Sequence, residues 1–369
     1  ILWKIPIHDI GHSTPVITGN TIWLTTATKT GDSLFAIGVD LASGEVVHDV
    51  ELFKPAERQM SHTLNTFATP SPVVEKGRAY VHFGTYGTAC LDSNSGKTLW
   101  ARDDLHCNHF QGPASSPVLY DNLLILAFMG FDVQFLIALD KNSGKTVWRK
   151  DGPTEFYSNL PEGSFPQSYA TPVVFNVDGK SCLVNNSSKG AIGRDPITGE
   201  EIWRCAYVAD NTVSRIVAGL GFLFVNQGAV KGKAILSAVK QGGLGNITTT
   251  HVAWTNNVDM PLLSSPVLME DLLYSVSDDG VITCLDAKNG QEVWRETQRG
   301  KYGPSLLYAD NRIYLCSKRG DTIVFAPGRT FQKLAENNLD GEFSASPIVA
   351  GNTLLLRSET HLYRIKVAS

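Results

Sequence analysis

Short apolar runs, β-branched or aromatic and four to seven residues long, recur along the chain between clusters of Gly, Asn and Asp. The stretch from Ser116 to Arg149 shows the pattern most clearly. Ser116–Leu119, Leu123–Phe128, Gln134–Leu139 and Thr146–Arg149 each read as a strand, because their composition suits a pleated, half-buried surface. Tyr120-Asp121-Asn122 and Asn142-Ser143-Gly144 between them carry turn chemistry. No stretch keeps a helical period. The pattern therefore predicts an all-β chain built from antiparallel four-stranded units.

A phrase marks the last turn of each unit. Asp92 through Gly96 to Trp100 returns as Asp140 through Gly144 to Trp148, as Asp195 through Gly199 to Trp203, and as Asp286 through Gly290 to Trp294. Each copy reads Asp-x-x-Ser/Thr/Asn-Gly-x-x-x-Trp, and a fixed unit of roughly 40–55 residues is the mark of a propeller or solenoid. A second phrase, Ser/Thr-Pro-hydrophobic, opens the units at Thr14, Ser71, Ser116, Thr171, Ser265 and Ser346, with a weaker copy at Gly303-Pro304-Ser305-Leu306. One further unit, Ile216 through Trp254, has lost the Pro and the Asp but keeps its Trp.

Eight units result, read as blades over residues 12–50, 66–103, 113–151, 168–206, 214–256, 262–297, 302–335 and 342–366. The last unit lacks a final strand, and residues 1–5, with Trp3, resemble the missing piece. A propeller whose N-terminus completes its last blade leaves no open edge between first and last units. The expected fold is a single eight-bladed β-propeller.

In this reading the Gly supplies the positive φ of the outer hairpin, the Asp caps that turn, and the Trp lays a flat ring on the neighbouring blade. His48 and Gln332 stand where the first and seventh units should carry Trp, so weaker blade contacts are expected there.

The net charge of −4 gives no reason to expect a nucleic-acid partner, and no apolar run is long enough for a membrane span. Cysteines 90, 107, 182, 205, 284 and 316 include no adjacent pair and no CxxC. Cys90 and Cys284 occupy one repeat position, where a third copy has Ala138, and read as small core residues. The chain opens at Ile1-Leu2-Trp3-Lys4 without Met. It is read as a processed product whose signal peptide or anchor lies outside it, placing it outside the cytoplasm.

The unit Ala138 to Trp148 resembles the repeat of the PQQ-like, or quinoprotein-like, β-propellers, which include quinoprotein alcohol dehydrogenases and BamB-type assembly proteins. Stretches such as His82 to Gly87 and Gly112 to Phe128 look like an uncharacterised secreted bacterial branch. The dehydrogenases of this family use a vicinal Cys-Cys disulfide, a calcium ion and an Asp base. The Cys-Cys pair is missing here, and no ligand set maps onto the chain. The resemblance to the BamB type implies a non-catalytic binding protein, with no cofactor expected.

Fold does not dictate activity, so the candidate site comes from the loops. One face should gather the inter-blade loops and the turns between second and third strands. The inter-blade loops are Phe53 to Asn65, Leu105 to Gln111 and Gly152 to Ser168, carrying His62, His106, Cys107, His109, Tyr157 and Tyr169. The turns carry Tyr86, Asp132, Lys189, Asp278, Asp279 and Arg319, and Arg215 opens the fifth blade. The ligand-face candidates are thus His62, Tyr86, His106, His109, Asp132, Tyr169, Arg215, Asp278 and Arg319.

His62, His106, Cys107 and His109 are the types that bind zinc or copper, but their spacing matches no closed site, and hydrogen bonding to loop backbones is the simpler role. Asp103-Asp104 and Asp278-Asp279 read as solvated loop acids. The functional expectation is a scaffold engaging a protein or polysaccharide, as a monomer or otherwise. The alternative is an enzyme in the central funnel, a PQQ-dependent oxidoreductase or a metal-dependent hydrolase.

Overall fold

The computed structural model describes residues 1–152, 167–177, 179–209, 211–230 and 233–366. Tyr157 and most of the Gly152–Ser168 loop lie outside the described residues. The fold is all-β, an eight-bladed β-propeller whose first seven blades run from inner to outer strand in chain order. Among the described residues the one helical element with assigned bounds is a 3-10 turn, Gly84–Tyr86.

The chain divides into two compact units. The first contains Ile1–Arg149 and Gly341–Ser369. Its blade 1 comprises Val16–Thr18, Thr21–Ala27, Leu34–Asp40 and Val46–Phe53, and its blade 2 Val73–Glu75, Arg78–His82, Thr88–Asp92 and Thr98–Arg102. Blade 3 comprises Val118–Tyr120, Leu123–Met129, Gln134–Asp140 and Thr146–Asp151. Blade 8 takes Ile348–Ala350, Thr353–Arg357 and His361–Lys366 from the end of the chain and Trp3–Pro6 from its beginning. Trp3 lies opposite Arg364 and Pro6 opposite His361, so the N-terminal strand is the outer strand of the last blade.

The second unit, Lys150–Asp340, holds blades 4 to 7. Blade 5 departs from the repeat. Its outer hairpin is enlarged, and Gly245–Asn246 within it runs parallel to the outer strand of blade 4, with Trp203 opposite Gly245. Ile247 and Trp203 share one buried cluster. The missing Asp-x-x-x-Gly turn is thus replaced by a strand that covers the edge of blade 4.

The apolar core lies between blades. Trp23 and Ala36 of blade 1 pack with Ala79, Val81 and Phe83 of blade 2. Tyr80 and Cys90 of blade 2 pack with Leu124, Phe128, Phe135 and Leu139 of blade 3. In the second unit Tyr274 and Cys284 of blade 6 pack with Ile313, Leu315 and Phe325 of blade 7. The period-2 alternation of each middle strand feeds both neighbours, which is why its residues are buried on both faces. All six cysteines are free and buried, and burial pushes the thiols of Cys90 and Cys182 up to about 11.

The repeated Trp joins blade 2 to blade 3, blade 5 to blade 6 and blade 8 to blade 1. Trp100 Nε1 donates to the Lys141 carbonyl at 2.9 Å, Trp254 to Ala287 at 3.1 Å, and Trp3 to Leu41 at 3.1 Å. Each indole lies on the hairpin glycine of the neighbouring blade. A Cβ on Gly144 would sit 2.7 Å from Trp100, and one on Gly290 2.6 Å from Trp254. These glycines have φ of +71° and +73°, so both the turn and the docked ring require glycine. The Asp of the motif accepts the turn's N–H groups, as Asp92 does from Asn94 and Ser95 and Asp140 from Asn142 and Ser143. These bonds, led by the Ser143 hydroxyl for Asp140 and the Ser95 N–H for Asp92, hold both carboxyls below the usual range.

His48 takes the indole's place on blade 2: a Cβ on Gly96 would sit 2.7 Å from its Nδ1, and the imidazole stacks on Trp23 at 5.3 Å. Gln332 is exposed, as is the whole strand Gln332–Asn338. The chain offers no Asp-x-x-x-Gly turn after it, because the outer strand of the last blade comes from the N-terminus.

The Ser/Thr that opens each blade has a shared role. The Thr14 N–H donates to Ser71 Oγ at 2.8 Å, Ser71 N–H to Ser116 Oγ at 2.9 Å, and Ser346 N–H to Thr14 Oγ1 at 3.2 Å. In the second unit Arg215 N–H donates to Ser265 Oγ and Ser265 N–H to Ser305 Oγ, both at 3.0 Å. Blade 7 enters this relay through Ser305, with Pro304 before it. The opening phrase there is shifted by one residue from the Ser-Pro order seen elsewhere.

Candidate functional site

Three loops of the first unit are laced together by hydrogen bonds that local sequence does not announce. Gln59, on the loop after blade 1, is the clamp. Its Nε2 donates to the Cys107 carbonyl and its Oε1 accepts the His109 N–H, both at 2.8 Å. Its backbone N–H donates to the Tyr86 hydroxyl at 3.0 Å. The Phe131 N–H donates to the Asn108 carbonyl at 2.7 Å, and Asp132 Oδ1 accepts from Asn108 at 2.6 Å and from Val133 at 2.8 Å. The His62 N–H donates to the Gln111 carbonyl at 3.1 Å.

These loops wall a cleft of about 690 Å³, inside the roughly 300–1,000 Å³ span of ligand pockets. Its lining includes Phe53, Lys54, Glu57, Arg58, Gln59, Tyr86, Asp103, His106, Cys107 and Asp132. Four of the sequence candidates, Tyr86, His106, Cys107 and Asp132, meet there. His109 stands directly behind the wall. Thr85 N–H donates to its Nε2 at 3.0 Å, so the ring is neutral with its proton on Nδ1. Burial lowers its pKa to about 4. Gly84 is required beside it, since a Cβ there would lie 2.3 Å from Nε2. His82, equally buried, bonds Thr88 Oγ1 at 2.8 Å and is held at about 3 by burial and by His109.

The His/Cys group does not converge as a metal site. Among the described residues no group of three His, Cys, Asp or Glu side chains is placed to hold a metal ion. His109 Nε2 is spent on Thr85. His62 turns its Nδ1 to the Leu64 N–H at 3.2 Å and is absent from the cleft lining. The Cys107 thiol lies 3.6 Å from the His109 ring nitrogens, and burial raises its pKa far above neutrality, the opposite of a reactive cysteine.

The remaining candidates belong to the second unit and do not join this cleft. Tyr169 is buried, and its N–H donates to the Thr212 carbonyl at 2.8 Å. Arg215 carries a link of the Ser/Thr relay on its backbone. Arg319 follows the Ser317 turn, whose hydroxyl accepts its N–H at 3.2 Å. Asp278 lines a separate cleft of about 320 Å³. It is half-buried rather than solvated: its Oδ1 accepts from Leu262 at 3.1 Å and Leu263 at 3.2 Å, as Asp132 does from Asn108. Asp279 pairs with Lys301, and Asp104 with Arg102 at 2.8 Å. A turn acid that fixes the preceding inter-blade loop is thus a recurrent structural device here.

Exposed apolar side chains sit on the same three loops: Met60 at 61%, Leu64 at 56%, Phe131 at 42% and Val133 at 41%. Phe110, with φ of +61°, stacks on Phe131 at 5.8 Å. Sequence inspection missed these side chains and Gln59 alike, because each is placed by separate loops brought together, Gln59 with Cys107 and His109 and Phe110 with Phe131.

Repeats of this geometry, with indole-to-hairpin docking and four-stranded blades, define a PQQ-like β-propeller. The family model described as outer membrane protein assembly factor BamB matches residues 1–150, 110–295 and 195–327, and the chain belongs to this family. Among solved structures it is similar to BamB from Moraxella catarrhalis, with TM-score 0.69 and 14% identity over 99% of this chain and 98% of that one. It is also similar to the computationally designed Ika8 protein, with TM-score 0.68 and 12% identity over 98% and 97%. A europium-containing methanol dehydrogenase gives TM-score 0.57 and 12% identity over 96% and 84%. No curated protein sequence matches significantly. At these identities the structural likenesses speak for fold.

Proposed function

We propose that this protein is a non-catalytic, extracytoplasmic scaffold that binds a protein partner through the loop face of its first unit. The observation that supports this most strongly is the 690 Å³ cleft together with the exposed apolar side chains Met60, Leu64, Phe131 and Val133 on the loops that wall it. Clustered exposed apolar side chains next to a recess mark interaction sites. A protein partner suits such a surface better than a polysaccharide. Membership of the BamB family supports an extracytoplasmic location, and among the described residues no helix is long and apolar enough to cross a membrane.

We also infer that the protein works without a quinone cofactor. The chain has no vicinal cysteines, its six cysteines are free and buried, and no three-ligand cluster is assembled among the described residues.

The test is site-specific photocrosslinking. A photoreactive residue at Ala56, in the cleft wall, should capture a partner that the same residue at Asn94, in an outer hairpin, does not. The purified partner should then bind the protein and fail to bind Phe131→Asp. Equal capture at both positions refutes the assignment of the face.

A further inference from the structure

The charges in the cleft are not balanced within it. Lys54 pairs with Glu51 at 2.8 Å and Arg58 with Asp32 at 3.2 Å, and neither acid belongs to the lining. Each cation of the cleft therefore has an acid partner outside it. Glu57 and Asp103 are exposed in the lining and, among the described residues, make no ion pair. Asp132 spends Oδ1 on two backbone N–H groups and leaves Oδ2 for another partner. The recess thus holds three carboxylates beside two cations that each already have an outside acid, so negative charge is in excess around it among the described residues. An excess of one sign of charge around a cleft raises the potential of that sign inside it.

These carboxylates do not converge as metal ligands do. A compact ion would be bound poorly, whereas a flexible cationic side chain with several N–H donors can reach separated acceptors. The aromatic residues Phe53 and Tyr86 stand in the same lining, and aromatic faces attract ammonium and guanidinium groups. Outside it, the Phe110–Phe131 stack and Val133 form an apolar ledge.

Resting on the protein-binding role argued above, we propose that the cleft receives a Lys or Arg side chain of an extended partner segment whose adjoining apolar residues lie on the Phe110–Phe131 ledge. The charged recess sets which segment is accepted, and the ledge supplies the contact area.

The probes are fluorescent ten-residue peptides alternating Leu with Lys, Gln or Glu, read by anisotropy. The Lys peptide should bind saturably, the Glu peptide should not, and affinity should fall as salt rises through the Debye range. The double variant Glu57→Gln/Asp103→Asn should weaken binding about 3- to 10-fold, as expected for two exposed ion pairs. The double variant Glu45→Gln/Glu270→Gln removes the same charge from turns that do not line the cleft and should leave binding unchanged. Equal losses in both variants, or equal binding of Lys and Glu peptides, overturn the proposal. If Ala56 still captures a partner that shows no preference for cations, the charge inference fails while the binding face stands. If neither peptide nor partner engages the cleft, both fail.

Discussion

Replacing Trp100 by Ala tests the joint that repeats through the fold. The indole rests on Gly144 of blade 3, meets Tyr80 at 6.3 Å, and donates to the Lys141 carbonyl at 2.9 Å. A docked Trp removes about 150 Å² of apolar surface from water, worth about 4 kcal/mol at 25 cal/mol per Å². The hydrogen bond adds about 1 kcal/mol. Residual structure in the unfolded chain and partial collapse of the vacated site lower the total, so the expected loss is about 3–4 kcal/mol. Trp100→Phe keeps most of the packing and loses the N–H, and should cost about 1 kcal/mol. Gly144→Ala places a Cβ 2.7 Å from the same ring at φ +71° and should cost as much as the Ala replacement of Trp100 or more. Urea unfolding followed by far-ultraviolet circular dichroism gives all three values. A loss below about 1 kcal/mol for Trp100→Ala would mean that the indole decorates the blade instead of joining two of them.

Three further outcomes are expected. Deleting residues 1–6 removes the outer strand of blade 8 and the Trp3 contact with Gly44; the melting temperature should drop by several degrees with aggregation on heating, and an unchanged melting curve would refute that pairing. His82 and His109 are held neutral, at about 3 and about 4, so their folded values lie below the ordinary 6.5. The stability they contribute is full above pH 6.5 and is lost as pH falls toward 4, at about 2 kcal/mol each by pH 5. His109→Gln should flatten that slope in a pH series of urea midpoints, and an unaltered slope would exclude His109 as its source. Titration with PQQ and calcium should leave the ultraviolet-visible spectrum additive; a saturable shift of the quinone band would restore the oxidoreductase reading.

The blades were legible because each is encoded locally. Turn residues, strand composition and the Trp lie within about 40 residues, and Asp140 to Trp148 states an entire hairpin together with its docking ring. The docking role of the hairpin glycine was half visible: the φ requirement is local, but the ring that forbids a Cβ on Gly144 comes from Trp100 of the previous blade. The enlarged hairpin of blade 5 hid its strand, because Gly245–Asn246 has no strand composition and is held by pairing with Trp203 and Arg204.

The site was legible by loop class more than by residue. Tyr86, His106, Cys107 and Asp132 do share a cleft, since second-to-third-strand turns and inter-blade loops meet in the first unit. His62 takes the loop-backbone bond that was its simpler role, and Asp278, read as a solvated acid, instead receives backbone N–H groups on its Oδ1. Gln59 could not be found from pattern at all. An amide in an irregular loop announces nothing until Cys107 and His109 are placed beside it.

The central claim, that the loop face of the first unit is the binding surface, is tested most directly by hydrogen–deuterium exchange of the protein with and without its crosslink-identified partner. The account predicts protection confined to residues 53–60, 84–86, 103–110 and 130–133. Protection of the outer hairpins at 92–96 and 140–144 with those loops unchanged would contradict it.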